Sequence, residues 1–337
     1  MSAVFLLSGC SLPGGNSPDI GSVLKTTDGG QTWEPKVKVN EKQTISAVDV
    51  LSMAIDSNDS QKAYVGTEKG GLFVTKNGGE NWEKLNFPTT KIYGLAVDRF
   101  NPQILYATGV WQKRGKIYKS ENGGADWGEI YTEPAEGTVV SSLEISKSGS
   151  QLLYAGTSDG MVMKTSDGGK SWKNLYKAKG PIIDISFDSG SDNTAYFAVF
   201  NKGILRTKNG GASFDDLTKG LQEATSTSQV FSLAIDPGMP GVFYAGLDKG
   251  FVKGINFGDQ WEKINILESS KKFPIRAVAV NPQNPNEIIY AGAQALYKSI
   301  DGGVQWSTFQ LDTSRAVQII KYDPLNPGII YLGLRKL

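Results

Sequence analysis

Short runs in which large apolar residues alternate with small or polar ones recur along the chain. They read Leu51-Ser52-Met53-Ala54-Ile55-Asp56, Gly94-Leu95-Ala96-Val97-Asp98, Ser142-Leu143-Glu144-Ile145, Asp184-Ile185-Ser186-Phe187-Asp188, Val230 to Asp236 and Ala277-Val278-Ala279-Val280-Asn281. A period of two over so few residues predicts β-strands. Most are followed, after a turn, by a second run with a Tyr-Ala-Gly core, as in Leu153-Tyr154-Ala155-Gly156, Phe243-Tyr244-Ala245-Gly246 and Ile289-Tyr290-Ala291-Gly292. No segment shows helical periodicity, so the pattern predicts an all-β chain.

A third element fixes the period. Ser166-Asp167-Gly168-Gly169-Lys170-Ser171-Trp172 has close copies centred on Asp28, Asn77, Asn122, Asn209 and Asp301, and a worn copy in which Asn256 and Gly258 survive around Phe257. The aromatics that close them are Trp33, Trp82, Trp127, Trp172, Phe214, Trp261 and Trp306, so the gaps run from 42 to 49 residues. That is the repeat length of a propeller blade of four strands. The ends complete the count. Val317 to Tyr322 and Ile329 to Gly333 look like the first two strands of a blade, and Ser22 to Pro35 like the last two. Joined, they make a seventh blade beside six internal ones, which leaves the ring no open sheet edge. The expected fold is a seven-bladed β-propeller of four-stranded antiparallel blades over 21–337, closed by a blade shared between the two ends.

Asx-Gly-Gly between apolar runs is a tight turn: the Asx side chain accepts backbone N–H groups just ahead, and the glycines take positive φ without steric cost. The aromatic three residues on can fill the wedge beside the turn. Ser/Thr-x-Asp-Gly-Gly-x-x-Trp resembles the Asp-box, or BNR repeat, of sialidases, sortilin-type receptors, xyloglucan-degrading hydrolases and the photosystem II assembly and stability factor. The resemblance spans nearly everything after residue 20. It implies that the box residues are architectural and face away from the binding side.

Composition then narrows the chemistry. Basic and acidic residues almost cancel, 35 against 34, so no global field recruits nucleic acid or an anionic membrane. The chain has no histidine and one cysteine, which removes Ser-His-Asp and Cys-His catalysis, histidine-ligated metals and any internal disulfide. No cofactor or metal is expected. Cys10 follows Ala3-Val4-Phe5-Leu6-Leu7-Ser8-Gly9. This resembles the lipobox of bacterial lipoproteins, although the positive region that should open a signal peptide is missing. It implies a lipid anchor at Cys10, a tether up to residue 20 and a place in the cell envelope, outside the cytoplasm.

In propellers of this strand order, the loops around the channel mouth are those between the second and third strands and those that lead into each first strand. Here they carry Lys113 and Arg114, Lys202, Lys249, Arg276 and Arg315, with Lys271 and Lys272 nearby, so a partly basic mouth is expected. Trp111 stands out as the tryptophan that closes no box, beside Gln112, Lys113 and Arg114 in the longest such loop. An aromatic flanked by cations and an amide suits a sugar or a protein contact. Glu144, Asp184, Arg276 and Lys321 interrupt apolar first strands and are expected to face the channel. Glu144 and Asp184, on neighbouring blades, would be the acid pair if the ring were a glycosidase. The arginine triad of sialidases finds no support: only six arginines exist, none before Arg99, and no Arg-Ile-Pro occurs. The expectation is a monomeric, non-catalytic ring that docks a protein or glycan at its mouth; the alternative is a carbohydrate-active enzyme.

Overall fold

The computed structural model describes residues 21–267, 274–292 and 295–336. Cys10, Lys271 and Lys272 lie outside the described residues. Seven four-stranded antiparallel sheets make up the fold. Blade 1 holds Val50–Ile55, Ala63–Thr67, Leu72–Thr75 and Glu83–Lys84, and the following blades repeat this order of strands A to D. Blade 7 is composite: Ala316–Tyr322 and Ile330–Arg335 supply A and B, Val23–Thr26 and Glu34–Pro35 supply C and D. Its seam is a run of four paired residues, from Val23 opposite Gly333 to Thr26 opposite Ile330. Each A strand neighbours the A strand of the next blade, and that of blade 7 neighbours blade 1, so the ring is closed.

Burial follows from stacking. The B strands lie in the middle of each sheet and are covered on both faces, so Ala63–Thr67, Leu153–Thr157 and Ala195–Val199 are buried throughout. Seven apolar clusters result, one at each interface between adjacent blades. The B-strand tyrosines Tyr64, Tyr106, Tyr154, Tyr196, Tyr244, Tyr290 and Tyr331 form a buried ring, each at most 1% exposed. Tyr106 donates to the Gly168 carbonyl at 3.3 Å, sewing blade 2 to the box turn of blade 3.

The glycine after the tyrosine makes room for the next blade. A Cβ on Gly246 would stand 2.4 Å from the Ile275 carbonyl oxygen, and one on Gly66 would stand 2.6 Å from Ile92 Cγ2.

The box turns behave as their residues predict. Asp167 Oδ1 accepts the Ser171 N–H at 2.9 Å and Asp28 Oδ1 those of Gln31 and Thr32; Asn77, Asn122, Asn209 and Asp301 repeat this contact. Hydrogen bonds from the hydroxyls of Thr26 and Thr32 to Asp28, and of Ser171 and Thr165 to Asp167, together with these backbone N–H groups, hold both carboxyls well below the usual carboxylate range. Both glycines of each of these six boxes have positive φ. In the worn copy Asn256, Phe257 and Gly258 take positive φ instead, and the Phe257 N–H reaches the Gly241 carbonyl. The closing aromatics pack at the interface with the preceding blade: Trp82 is buried, while Trp33, Trp127, Trp172, Phe214, Trp261 and Trp306 are partly so.

One element departs from the sequence reading. Thr218–Thr225 form an α-helix, α1, in the connection from blade 4 to blade 5. Two turns bury only Leu221 and Thr225 along the helix, with Leu217 just before it. An apolar stripe that short leaves no readable period. Thr218 Oγ1 donates to the Lys202 carbonyl at 2.7 Å and fastens the helix to the B–C loop of blade 4.

Candidate binding site at the channel mouth

The inner strands enclose a channel cavity of about 500 Å³. Strand A enters where strand B leaves, so the residues at the start of A and the end of B mark the mouth. The local backbone explains which side chains reach it. In blades 1, 3, 4, 5 and 7 the A–B pairing slips by one residue at a β-bulge, at Val50/Ser52, Val140/Ser142, Ile182/Asp184, Val230/Ser232 and Val317/Ile319. A bulge leaves one residue outside the ladder and re-aims its side chain. The extra residues are Leu51, Ser141, Ile183, Phe231 and Gln318, with Tyr93 and Arg276 at the matching places of blades 2 and 6, and all seven line the cavity. Phe200 and Arg335, beyond or at the ends of two B strands, complete the rim.

Below the rim the next positions carry small groups that bridge blades. Ser52 Oγ donates to the Ile92 carbonyl at 2.9 Å and Ser142 Oγ to that of Ile182 at 3.3 Å. In blade 4 this tier holds Asp184, whose Oδ2 accepts the Leu233 N–H of blade 5 at 2.9 Å. Glu144 and Lys321 stand deeper. Burial inside the ring pushes Asp184 up to about 6, against the Leu233 N–H and the charge of Lys321, which favour the carboxylate. Burial raises Glu144 as well, with Lys321 and Lys147 opposing and Asp184 reinforcing. Arg276 lies over the Phe231 ring at 4.7 Å, and burial together with Arg335 holds its guanidinium below the usual value.

The seven candidate mouth residues fare differently. Arg276 lines the channel, together with Glu144, Asp184 and Lys321. Trp111 is 50% exposed, yet it does not sit in a long loop: it ends strand Leu105–Trp111 and pairs with Arg114 across a two-residue turn. That turn, Gln112-Lys113, has φ of 49° and 64°, a conformation that suits Asn-Gly and strains longer side chains. Arg114 is tied to its own blade through the Glu133 and Pro134 carbonyls and lies 3.9 Å from Glu136. Lys113, Lys202 and Lys249 are exposed on B–C tips of three blades. Arg315 is not a surface contact. It is 1% exposed, bonded to Asp49 and the Val48 carbonyl at 3.0 Å, and it braces blade 7 against blade 1. Reading the sequence missed Tyr93, Phe200, Phe231 and Arg335. Alignment of Val230-Phe231-Ser232-Leu233 with Val50-Leu51-Ser52-Met53 was the signal that could have found them.

Fold and site together define a seven-bladed β-propeller with a polar channel and an aromatic, cationic rim. Comparison with known proteins agrees. Residues 21–157 match the model of the family described as Sortilin, neurotensin receptor 3. The xyloglucanase Xgh74A of Acetivibrio thermocellus is 30% identical over 210 residues, 54% of this chain and 24% of that enzyme. The photosystem II assembly lipoprotein Ycf48 of Synechococcus sp. CC9902 is 22% identical over 247 residues, 71% of this chain and 68% of that protein. The chain thus spans about a quarter of the xyloglucanases it matches and between 52% and 68% of the Ycf48 proteins. Among solved structures, the GH74 xyloglucanase of Xanthomonas campestris superposes with a TM-score of 0.70 at 16% identity, over 85% of this chain and 51% of that one. A structure of YCF48 bound to D1 peptide superposes with a TM-score of 0.63 at 17% identity, over 86% and 93%. At such identities these likenesses speak for the fold alone.

Proposed function

We propose that this chain is a non-catalytic docking platform of the bacterial cell envelope, anchored through lipid at Cys10 and working as a single ring, which holds a protein partner on its channel-mouth face. The observation that carries the reading is the rim itself: Tyr93, Phe200, Phe231 and Arg276 ring the opening, while exposed Trp111, at the end of its strand, and Lys113, Lys202 and Lys249, on the B–C turns, lie on the same face. Aromatic anchors flanked by cations are the composition of a binding hot spot. A closed ring holds loops of several blades in fixed relation, so little ordering cost falls on association. A structure described as YCF48 bound to D1 peptide is covered to 93%, which supports a peptide or protein partner. Assembly of a membrane complex is a fitting role for a tethered ring of this kind.

A glycoside hydrolase is the second reading, supported by the 30% identity to a xyloglucanase. Against it, Asp184 is held by the Leu233 N–H and serves as a bridge between blades. Capture from a membrane extract tests the platform. The wild-type ring retains a partner that is lost on charge reversal at Lys113, Lys202 and Lys249 with melting unchanged. Turnover of xyloglucan that disappears in Glu144→Gln or Asp184→Asn would replace this reading with the enzyme.

A further inference from the structure

Below Arg276 of the rim the channel holds polar groups that the docking reading leaves unused, among them the donors Lys321, Gln318 and Ser232. Lys321 has no hydrogen bond or ion pair among the described residues, and Arg276 meets only the Phe231 ring and the like charge of Arg335. Gln318 Nε2 is buried without a partner, as is the hydroxyl of Ser232, a residue only 8% exposed. All four residues line the same cavity. Buried donors without acceptors, as at Gln318 and Ser232, are costly, and Lys321 is exposed to the lumen, where its ammonium can meet a ligand. The acceptors in the lumen do not offset them. Asp184 already receives the Leu233 N–H, and Glu144, which has no hydrogen-bond partner among the described residues, is disfavoured as a carboxylate by burial. Arg335 is 3.9 Å from Glu68 and 42% exposed, so it adds positive charge at the entrance.

We infer that the channel is a binding site for a small anion with several acceptor oxygens, a di- or tricarboxylate or phosphate, held between Arg276 at the rim and Lys321, Gln318 and Ser232 below. The cavity of about 500 Å³ admits such a molecule with part of its water. The guanidinium at the rim presents a planar fork to a carboxylate or phosphate, and the lysine supplies a point charge deeper in. Anion entry offsets the like charges of Arg276 and Arg335, which oppose each other at the entrance. Burial raises Glu144 and pushes Asp184 up to about 6, so proton uptake by these two acids removes negative charge that opposes an anion in the lumen. The groups that set this are Lys321 and Lys147 beside Glu144, Lys321 beside Asp184, and Arg335 beside Arg276.

Calorimetric titration of the full chain with citrate and with inorganic phosphate at constant ionic strength tests the site, with acetate as the single-carboxylate control. One saturable site is expected for citrate or phosphate, and much weaker binding for acetate. Arg276→Gln and Lys321→Met should each weaken it about tenfold, the loss of one charged hydrogen bond, and Asp184→Asn should tighten it at pH 7.5. A second measurement guards against misfolding: citrate raises the melting temperature of the wild type, and this rise vanishes in the Lys321→Met protein. Absence of saturable binding, or equal binding by the wild type and both cation variants, overturns the proposal. The site shares Arg276 with the docking rim but not Lys113, Lys202 or Lys249, so a ring that captures its partner but binds no anion refutes this inference alone.

Discussion

Asp184 on strand A of blade 4 accepts the backbone N–H of Leu233 on strand A of blade 5 at 2.9 Å, where the equivalent Ser52 of blade 1 donates to a carbonyl of its neighbour. The ring therefore keeps one blade-to-blade bridge made by a carboxylate at the wall of a narrow lumen. Its acidity, shifted from 3.8 to about 6, makes the folded protein hold an extra proton between those values. Stability from this group is thus highest below about pH 4 and falls as pH rises through 6, a difference of about 1 to 3 kcal/mol once water in the lumen is allowed for. Asp184→Asn keeps an acceptor and removes the charge. It should be the more stable protein at pH 7.5 and match the wild type near pH 4. Denaturant melts at both pH values check this, and equal stability at both would rule it out.

Close approach of blades predicts a penalty at Gly246. A methyl there meets the Ile275 carbonyl oxygen at 2.4 Å, a backbone atom that yields little. Gly246→Ala should cost about 1 to 3 kcal/mol, the range for overpacking. Gly149→Ala, with nothing within 4 Å, should cost little. Comparable losses in both variants would show that conformational freedom, and not space, explains the glycine.

Removal of Ser22 to Pro35 takes both outer strands from blade 7 and exposes the edge of Ile330–Arg335. Calorimetry should then show a broad or multiple transition instead of one cooperative melt. An unchanged single transition would mean that the seam contributes nothing to ring closure.

The hairpin of blade 2 makes opposite demands on stability and binding. Two side-chain-bearing residues in the left-handed region cost about 1 to 2 kcal/mol each relative to glycine at worst, so Gln112-Lys113→Asn-Gly should stabilise the ring by about 1 kcal/mol. The same change removes the Lys113 charge and should reduce partner capture. Trp111→Ala, at a half-exposed site, should alter stability by less than about 0.5 kcal/mol while also weakening capture. A large loss of stability in Trp111→Ala would place the indole in the packing of its own blade.

Blade number, strand order, the composite seam and the box turns were legible in the chain because each depends on a local rule repeated seven times. Alternation named the A strands, Tyr-Ala-Gly the B strands, and Asx-Gly-Gly the C–D turn. The channel charges Glu144, Asp184, Arg276 and Lys321 were legible for the same reason, as polar breaks in an apolar rhythm. What stayed hidden was non-local. Arg315 looked like a loop cation because its partner Asp49 lies at the far end of the chain. Trp111 looked like part of a long loop because Gln112-Lys113 lacks the usual residues of a two-residue turn. Phe231 read as ordinary strand, since a bulge changes the direction of a side chain without changing the composition around it.

Those bulges also bear on how such a ring acquires a ligand. At five of the seven places around the opening the extra residue belongs to neither face of its sheet, and the ladder on each side is made by main-chain atoms. Leucine, serine, isoleucine, phenylalanine and glutamine already occupy these slots in one molecule without altering the blade beneath. The mouth can therefore be rewritten one side chain at a time, with the scaffold indifferent to the text.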